Sequence, residues 1–246
     1  MRLTALLALL TAPYIANAQS GALPGRETLH YAVEWRLITA GKARLDWTSL
    51  SGPRGGYESK LHIESIGLVS KLFKVEDDYT STLSQGLCVQ SVQSTTREGV
   101  RQRETRITFD GDAHRASYLE RDRVRNTTLL AKDIEIPSCV HDVIGGLYFL
   151  RTLNIEPGQA VMAPISDGKK SVSVRVESQQ REDVKTPAGT FKTVRYELFL
   201  FNNVLWNRSG HLYIWMTDDR RRIPVQIRFR LPFTIGTVTL QLEKVE

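Results

Sequence analysis

Apolar and polar residues alternate with a period of two through most of this chain, and this pattern limits the fold more than any other feature of the sequence. In the segment HYAVEWRLI, for example, Tyr31, Val33 and Trp35 would share one face of a strand, and Glu34 and Arg36 the other. Successive side chains of a β-strand point to opposite faces of a sheet. The pattern therefore predicts strands with one buried and one solvated face.

Segments of this kind recur along the chain, separated by turn signals such as Ala40-Gly41, Asp110-Gly111-Asp112 and Pro187-Ala188-Gly189. We expect about a dozen antiparallel strands. A sheet of that size cannot stay flat. The predicted fold is all-β and mainly antiparallel, with a single strongly curved sheet that forms a half-barrel or barrel. The segments are residues 30–38, 41–50, 57–65, 74–83, 87–98, 102–110, 113–121, 171–180, 189–201, 210–217, 223–231 and 236–245.

Two segments have a helical period instead. In SCVHDVIGGLYFLRTLNIEPGQ, residues 138–159, apolar residues recur at helical spacing, which predicts one central helix packed across the sheet. The shorter segment IGLVSKLF, residues 66–73, predicts a helical turn or two. The apolar stripe of the central helix comprises Val140, Val143, Ile144, Leu147 and Leu150.

The start of the central helix carries residue types that also occur in functional sites. Ser138 is expected to cap the helix, and Asp142 would lie favourably in its first turn. His141 is most simply a hydrogen-bonded residue of this capping turn. Gly145 and Gly146 each disfavour an isolated helix by about 1 kcal/mol. Two such residues on one turn indicate that a strand or a ligand comes close there.

The N-terminus has the features of a secretory signal peptide. In MRLTALLALLTAPYIANA, an arginine precedes a short apolar run, and Ala16-Asn17-Ala18 forms an A-x-A cleavage site. We expect residues 1–18 to be cleaved and residues 19–246 to form one domain in the periplasm, or outside the cell if there is no outer membrane. The apolar run is shorter than the ~20 residues that a transmembrane helix needs. No later segment is apolar enough to cross a membrane.

Cys88 and Cys139 are the only cysteines of the chain. In an exported protein such a pair predicts a disulfide. It would close a loop of about 50 residues and stabilise the fold by roughly 4 kcal/mol. Two other interpretations stay open, namely two buried thiols, or Cys139 as a nucleophile paired with His141. No CxxC or HExxH pattern occurs, so the sequence predicts neither a metal site nor a cofactor.

The chain carries a net charge of +6, and basic residues are concentrated at 121–125 and 218–230. An exported location argues against nucleic acid as the partner and favours anionic lipid headgroups, lipopolysaccharide or acidic wall polymers. Alternatively, these arginines form the solvated face of strands. Within RRRIPVQIRFRL the apolar residues and the later arginines alternate, so only Arg220, Arg221 and Arg222, at the end of the strand, could clamp a ligand headgroup.

Five blocks of the sequence, taken in order, resemble one known family. They are ETLHYAVEWRLITAGKARL, GLVSKLFKVEDDYTSTL, HDVIGGLYFLRTLNIEPGQ, TPAGTFKTVRYEL and LYIWMTDDRRRIPVQIRFRLPFTIGTVTLQL. In this order they span the chain from about Glu27 to Glu243 and closely resemble domain-of-unknown-function family 3108 (DUF3108). The resemblance implies an exported, β-rich, barrel-like envelope protein without an assigned activity or catalytic residues. One departure is Ile144-Gly145-Gly146-Leu147, where a Leu-Ser-Ala-Leu-like pattern is commoner.

Three functions are compatible with these observations. The first is a non-enzymatic periplasmic binding or carrier protein whose concave apolar face holds a hydrophobic or anionic amphiphilic ligand, such as a lipid. The second is an envelope assembly or structural factor that binds another protein. The third is a hydrolase, but neighbouring side chains such as Cys139, His141 and Asp142 diverge on a helix, so we expect no enzyme. The candidate ligand-binding residues are His141, Gly145, Gly146, Arg220, Arg221 and Arg222.

Overall fold

Fourteen antiparallel strands form a single sheet in the computed structural model, which describes residues 23–52 and 55–246. The predicted signal peptide, residues 1–18, lies outside the described residues. The elements are β1 (Arg26–Trp35), β2 (Ile38–Ser49), β3 (Tyr57–Ser65), α1 (Gly67–Leu72), β4 (Val75–Leu83), β5 (Val89–Glu98), β6 (Arg101–Asp110), β7 (Arg115–Asp122), β8 (Thr127–Glu135), α2 (Val143–Thr152), β9 (Ala160–Ser166), β10 (Ser171–Thr186), β11 (Gly189–Leu198), β12 (His211–Thr217), β13 (Pro224–Arg230) and β14 (Thr237–Val245).

Each strand pairs with its neighbour in sequence from β1 to β8 and from β9 to β14, and the two runs join where β1 pairs with β14. This order leaves β8 and β9 as the edges of the sheet. The two edges do not pair with each other. They come close at one point, where Lys132 Nζ on β8 donates to the Lys169 carbonyl in the β9–β10 turn at 3.2 Å. The predicted all-β antiparallel fold is confirmed, and the sheet is open rather than a closed barrel.

The segment between β8 and α2 crosses the gap between these edges. The Val140 carbonyl accepts a hydrogen bond from Val89 N of β5, and His141 N donates to the Pro164 carbonyl of β9, at 2.8 and 2.9 Å. Cys139, in the same segment, forms the predicted disulfide with Cys88, with the two Cα atoms 5.0 Å apart. The crossing segment thus covers part of the exposed edge of β9, where unpaired backbone groups would otherwise invite pairing with another chain.

The two strands that the alternation pattern did not predict, β8 and β9, are the two edges. The residues of β8 are mostly exposed, so its sequence lacks the apolar face of a half-buried strand. Pro164 interrupts the pattern in β9, and a proline is tolerated in a strand mainly at a sheet edge. Edge strands need fewer buried residues than central ones, and the sequence signal is weaker there.

The first hairpin turn was predicted at Ala40-Gly41, and this prediction was wrong. The turn is Arg36-Leu37, and both residues have positive φ angles, of 49° and 70°. Gly41 lies inside β2 beside a register shift, where a Cβ would approach the Glu64 carbonyl oxygen to 2.3 Å. Gly41 is therefore required for close strand packing rather than for a turn.

Two apolar clusters form the interior. The main cluster joins the concave face of β1–β4 and β9–β14 to helix α2, and it is centred on residues such as Trp47, Tyr148 and Leu242. The second cluster joins β5–β8 to the crossing segment through Val140 and Ile136. In the described part of the chain, neither helix is long and apolar enough to span a membrane.

Candidate binding cavity

An apolar cavity of about 320 Å³ lies between helix α2 and the concave face of the sheet. Its wall is built by β1–β3 and β9–β14, and residues of α2 form one side. Among the described residues of the lining, Tyr31 alone carries a hydroxyl, and this hydroxyl donates to the Pro224 carbonyl at 2.8 Å. The cavity consequently offers hydrocarbon surface and no free polar group. Lining residues include Val33, Leu45, Ile63, Ile144, Leu147, Val176, Leu198, Ile214, Phe229 and Leu240.

The burial of inward-facing side chains shows which end of the cavity is open. On β1, Leu29 is fully buried and Val33 is half-buried; on the paired strand β14, Leu242 is fully buried and Val238 is half-buried. The same direction of change occurs along β13. Solvent therefore reaches the cavity from the end that carries the connections 36–37, 66–74, 99–100, 123–126, 167–170, 199–210 and 231–236. We call this end the open rim.

Helix α2 blocks the opposite end, and its N-cap is Asp142, not Ser138 as predicted. The Asp142 carboxylate accepts hydrogen bonds from the backbone N–H groups of Ile144 and Gly145 at 3.1 and 3.2 Å. Ser138 cannot act as the cap because Ser138 and Cys139 lie in a bend and His141 pairs with Ile165 of β9, so the helix begins only at Val143. For the same reason Val140 belongs to the second apolar cluster and not to the helix stripe.

The Asp142 side chain also binds the sheet. Its oxygens accept hydrogen bonds from Tyr79 and Ser81 of β4 at 2.7 and 3.0 Å. Burial raises the pKa of Asp142 above its usual value, and the hydrogen bonds oppose this shift. Both carboxylate oxygens are thus occupied in fixing the helix start to β4.

His141 is buried beside this cap. Its Nδ1 lies 2.8 Å from the Leu87 carbonyl, which can only accept, so Nδ1 carries the proton and donates. The imidazole stacks on Phe149, with ring centroids 4.3 Å apart. Burial lowers the pKa of His141, so the neutral form is favoured. Cys139 is bonded to Cys88, which excludes it as a free nucleophile next to His141.

The glycine pair allows α2 to lie close to two strands. A Cβ on Gly145 would come within 2.5 Å of a Leu83 methyl carbon on β4, and one on Gly146 within 2.7 Å of an Ile165 methyl carbon on β9. Gly146 lines the cavity, whereas Gly145 faces away from it. Both glycines thus serve close packing, and one of them borders the space open to a ligand.

The far end of α2 is fixed by an ion pair that the sequence interpretation missed. The Arg151 guanidinium binds the Glu27 carboxylate through two contacts of 2.6 and 3.1 Å, and both side chains are buried. Arg151 also donates to the Arg221 carbonyl at 3.0 Å. A signal for this role exists, because Ile144, Leu147 and Arg151 share one helical stripe, so a charged residue occupies an apolar position.

The three arginines predicted as a headgroup clamp lie away from the cavity. Arg220, Arg221 and Arg222 form the β12–β13 connection, at the end of the sheet that α2 blocks, and none of them lines the cavity. Arg222 donates to the Asn154 side chain at 2.6 Å. The backbone N–H groups of Arg221 and Arg222 bind the Asp219 carboxylate. Their contacts stabilise the turn and its packing on the end of α2.

The described residues contain no cluster of His, Cys, Asp and Glu that could hold a metal ion. The disulfide indicates that the chain folds in an oxidising compartment, outside the cytoplasm.

Comparison with solved structures supports the fold. A β-barrel-like protein of the unknown-function family DUF1849 from Brucella abortus matches with a TM-score of 0.56 at 9% identity, over 90% of this chain and 97% of that one. A protein with a YmcC-like fold from Bacteroides fragilis matches with a TM-score of 0.40 at 11% identity, over 93% and 99% of the two chains. A DUF1089 family protein from Pseudomonas aeruginosa matches with a TM-score of 0.35 at 10% identity, over 78% and 90%.

At these identities the Brucella protein supports the barrel-like fold alone. No curated protein matches this chain. A family model described as "Protein of unknown function (DUF3108)" matches residues 30–243, which is nearly the whole chain. The chain therefore belongs to the DUF3108 family.

Proposed function

We propose that this protein is a non-enzymatic binding or carrier module of the bacterial envelope that holds the hydrocarbon part of an amphiphile in its apolar cavity. The observation that carries the proposal is the cavity itself, about 320 Å³ in volume and lined by aliphatic and aromatic side chains. Small-molecule sites in proteins typically have volumes of about 300–1,000 Å³. An apolar cavity of roughly 150 Å³ already accepts benzene.

The lining selects the class of ligand. A polar metabolite would lose its hydrogen bonds to water on entry and find no partners, at a cost of roughly 1–3 kcal/mol for each unpaired group. A hydrocarbon chain has no such penalty and gains about 25 cal/mol for each Å² of apolar surface removed from water. The ligand portion inside is therefore apolar.

Because the cavity opens at the open rim, we expect a polar headgroup of the ligand to lie there. Helix α2 blocks the other end, where the buried charges of Glu27 and Arg151 pair with each other and Arg220–Arg222 lie outside the cavity. Exposed cations are also present at the rim, beside the opening, among them Lys169, Lys170 and Arg208. An anionic headgroup is accordingly favoured over a neutral one, with these side chains rather than Arg220–Arg222 as its neighbours.

The direct test is native mass spectrometry of protein purified from its own envelope, followed by solvent extraction and identification of the released lipids. We expect a mass that corresponds to the protein with a bound amphiphile, in addition to any mass of the free protein. The complementary measurement is displacement of a fluorescent fatty acid by unlabelled fatty acid from delipidated protein.

A matched pair of variants on β14 links binding to the cavity. Leu240 lines the cavity, and the next residue, Gln241, points to the outer face of the same strand. Leu240→Trp fills the cavity and should weaken probe binding at least tenfold. Gln241→Trp adds the same bulk outside and should leave binding unchanged. Equal affinities for both variants, or no bound amphiphile in any preparation, would refute the proposal and favour the assembly-factor function.

A further inference from the structure

The open rim displays most of the large hydrophobic side chains that are exposed in the described residues. Leu37 and Val100 are each 93% exposed and Phe233 is 91% exposed. Helix α1 has no buried residue, and its Leu68 and Leu72 both point into solvent. The rim set is Leu37, Ile38, Leu68, Leu72, Phe73, Val100, Val124 and Phe233, whereas the exposed members elsewhere are Leu50, Leu129 and Met162.

The β1–β2 turn shows that this display is held in place. Arg36 and Leu37 occupy the left-handed region, which is costly for residues with a Cβ. The Arg36 guanidinium binds the carbonyls of Phe233 and Thr234 in the neighbouring β13–β14 connection at 2.5 and 3.2 Å. It also lies 5.5 Å from the centre of the Phe233 ring. The two turns form one unit that presents Leu37 and Phe233 outward.

The rim connections are also strongly basic. Their acidic residue is Asp167, whose carboxylate accepts hydrogen bonds from the backbone of Lys169 and Lys170. Among the described residues, Lys74 is the rim cation that has a carboxylate within ion-pair distance, that of Glu76 at 3.2 Å. The exposed cations of the rim connections are Arg36, Lys71, Lys74, Arg123, Arg125, Lys169, Lys170 and Arg208.

The other end of the sheet lacks this combination. Its described connections carry charges of both signs, namely Asp112, Glu156, Asp218 and Asp219 together with Arg220, Arg221 and Arg222. Among the described residues, Leu50 is the only exposed large hydrophobic side chain of this end. The combination of exposed apolar and basic side chains is therefore a property of the open rim and not of the loops in general.

We propose that the open rim docks onto an anionic lipid bilayer, with the apolar loop tips inserted between headgroups and the surrounding cations against lipid phosphates. Apolar side chains flanked by lysine and arginine are the chemistry of surfaces that bind such membranes. The apolar residues project separately from different connections, which suits a fluid lipid surface. In combination with the proposed function, on which this step rests, docking would let an acyl chain pass between bilayer and cavity without crossing water.

Vesicle sedimentation tests the proposal with the full mature chain. The probes are phosphatidylcholine vesicles and vesicles in which about one third of the lipid is phosphatidylglycerol. We expect at least tenfold tighter binding to the anionic vesicles, and weaker binding as salt is raised because the charges are screened.

Two rim variants are compared with single substitutions of the same type at the other end. Leu68→Asp combined with Leu72→Asp, and Arg123→Glu combined with Arg125→Glu, should each reduce binding to anionic vesicles at least tenfold. The folds should persist, because α1 buries no side chain and the two arginines are exposed. Leu50→Asp and Arg220→Glu should sediment like the unchanged protein. Equal loss in rim and control variants, or no binding to anionic vesicles, would overturn the docking proposal.

The two proposals fail separately. If the protein binds vesicles but no amphiphile can be extracted from it, the docking proposal is supported and the carrier function is refuted. If the protein contains an amphiphile but does not bind vesicles, the docking proposal is refuted and the proposed ligand site in the cavity is supported. The amount of bound amphiphile should also be measured in the Arg123→Glu, Arg125→Glu variant. Unchanged occupancy would show that the rim change affects membrane docking alone, and reduced occupancy that it also affects ligand binding.

Discussion

At the scale of single residues, His141 links stability to pH. Its folded-state pKa is lowered by burial, so the unfolded chain binds a proton more readily than the folded one. Stability should thus fall as the pH drops below about 6.5 toward the folded pKa, by up to about 1.4 kcal/mol per pH unit. We expect His141→Asn to lack this component in urea unfolding measured from about pH 7.5 to about pH 5.

His114 provides the control for this measurement, because it is exposed in the β6–β7 turn. His114→Asn keeps a residue type that tolerates the positive φ of 52° at that position. Its pH profile should follow that of the unchanged protein.

Asp142 contributes with the opposite sign, since its raised pKa makes protonation favour the folded state, and its contribution is lost as the pH rises through that pKa. If His141→Asn kept the pH dependence of stability of the unchanged protein, His141 would not be the source of the loss of stability at low pH.

At the scale of elements, the attachment of α2 depends on the buried Glu27–Arg151 pair. Replacement of Arg151 by Met would leave the Glu27 carboxylate buried without a counter-ion, so we expect a loss of about 3–5 kcal/mol in the free energy of unfolding. The double variant Glu27→Gln, Arg151→Met should lose less than the sum of the two single variants. The comparison is the exposed pair Glu104–Arg106, joined at 2.6 Å, where Arg106→Met should cost about 0–1 kcal/mol. Additive losses at Glu27 and Arg151 would show that packing, not the charge pair, anchors the helix.

The sequence predicts this helix well except at its two ends. The stripe formed by Ile144, Leu147 and Leu150 requires only local periodicity, and these residues do face the cavity. The N-cap could not be located, because Ser138 and Asp142 are both good caps and the choice between them depends on hydrogen bonds from Tyr79 and Ser81, distant in sequence. The partner of Arg151 is likewise distant, at Glu27. Contacts of this kind leave no periodic signal.

At the scale of the whole molecule, alternation predicts the antiparallel sheet and its apolar concave face, as in Ile227 and Phe229 of β13. It does not predict where the sheet ends, because β8 buries little and Pro164 interrupts the alternation in β9. Nor does it tell which end of the cavity α2 blocks. That depends on the direction in which the crossing segment leaves β8, and this direction places Arg220–Arg222 outside the cavity rather than at its opening.

The disulfide is a constraint at this largest scale, because it joins residues 51 positions apart and encloses β5–β8, the strands of the second apolar cluster. Replacement of both Cys88 and Cys139 by Ser should lower the free energy of unfolding by roughly 4 kcal/mol, since the unfolded chain regains the freedom of the closed loop. Hydrogen exchange should accelerate more in β5–β8 than in β11–β14, which belong to the main cluster. As a control, thiol labelling of the unreduced, denatured protein should detect no free cysteine. Equal acceleration in both regions would mean that the two clusters unfold as one unit, and the disulfide would then stabilise the whole sheet rather than β5–β8.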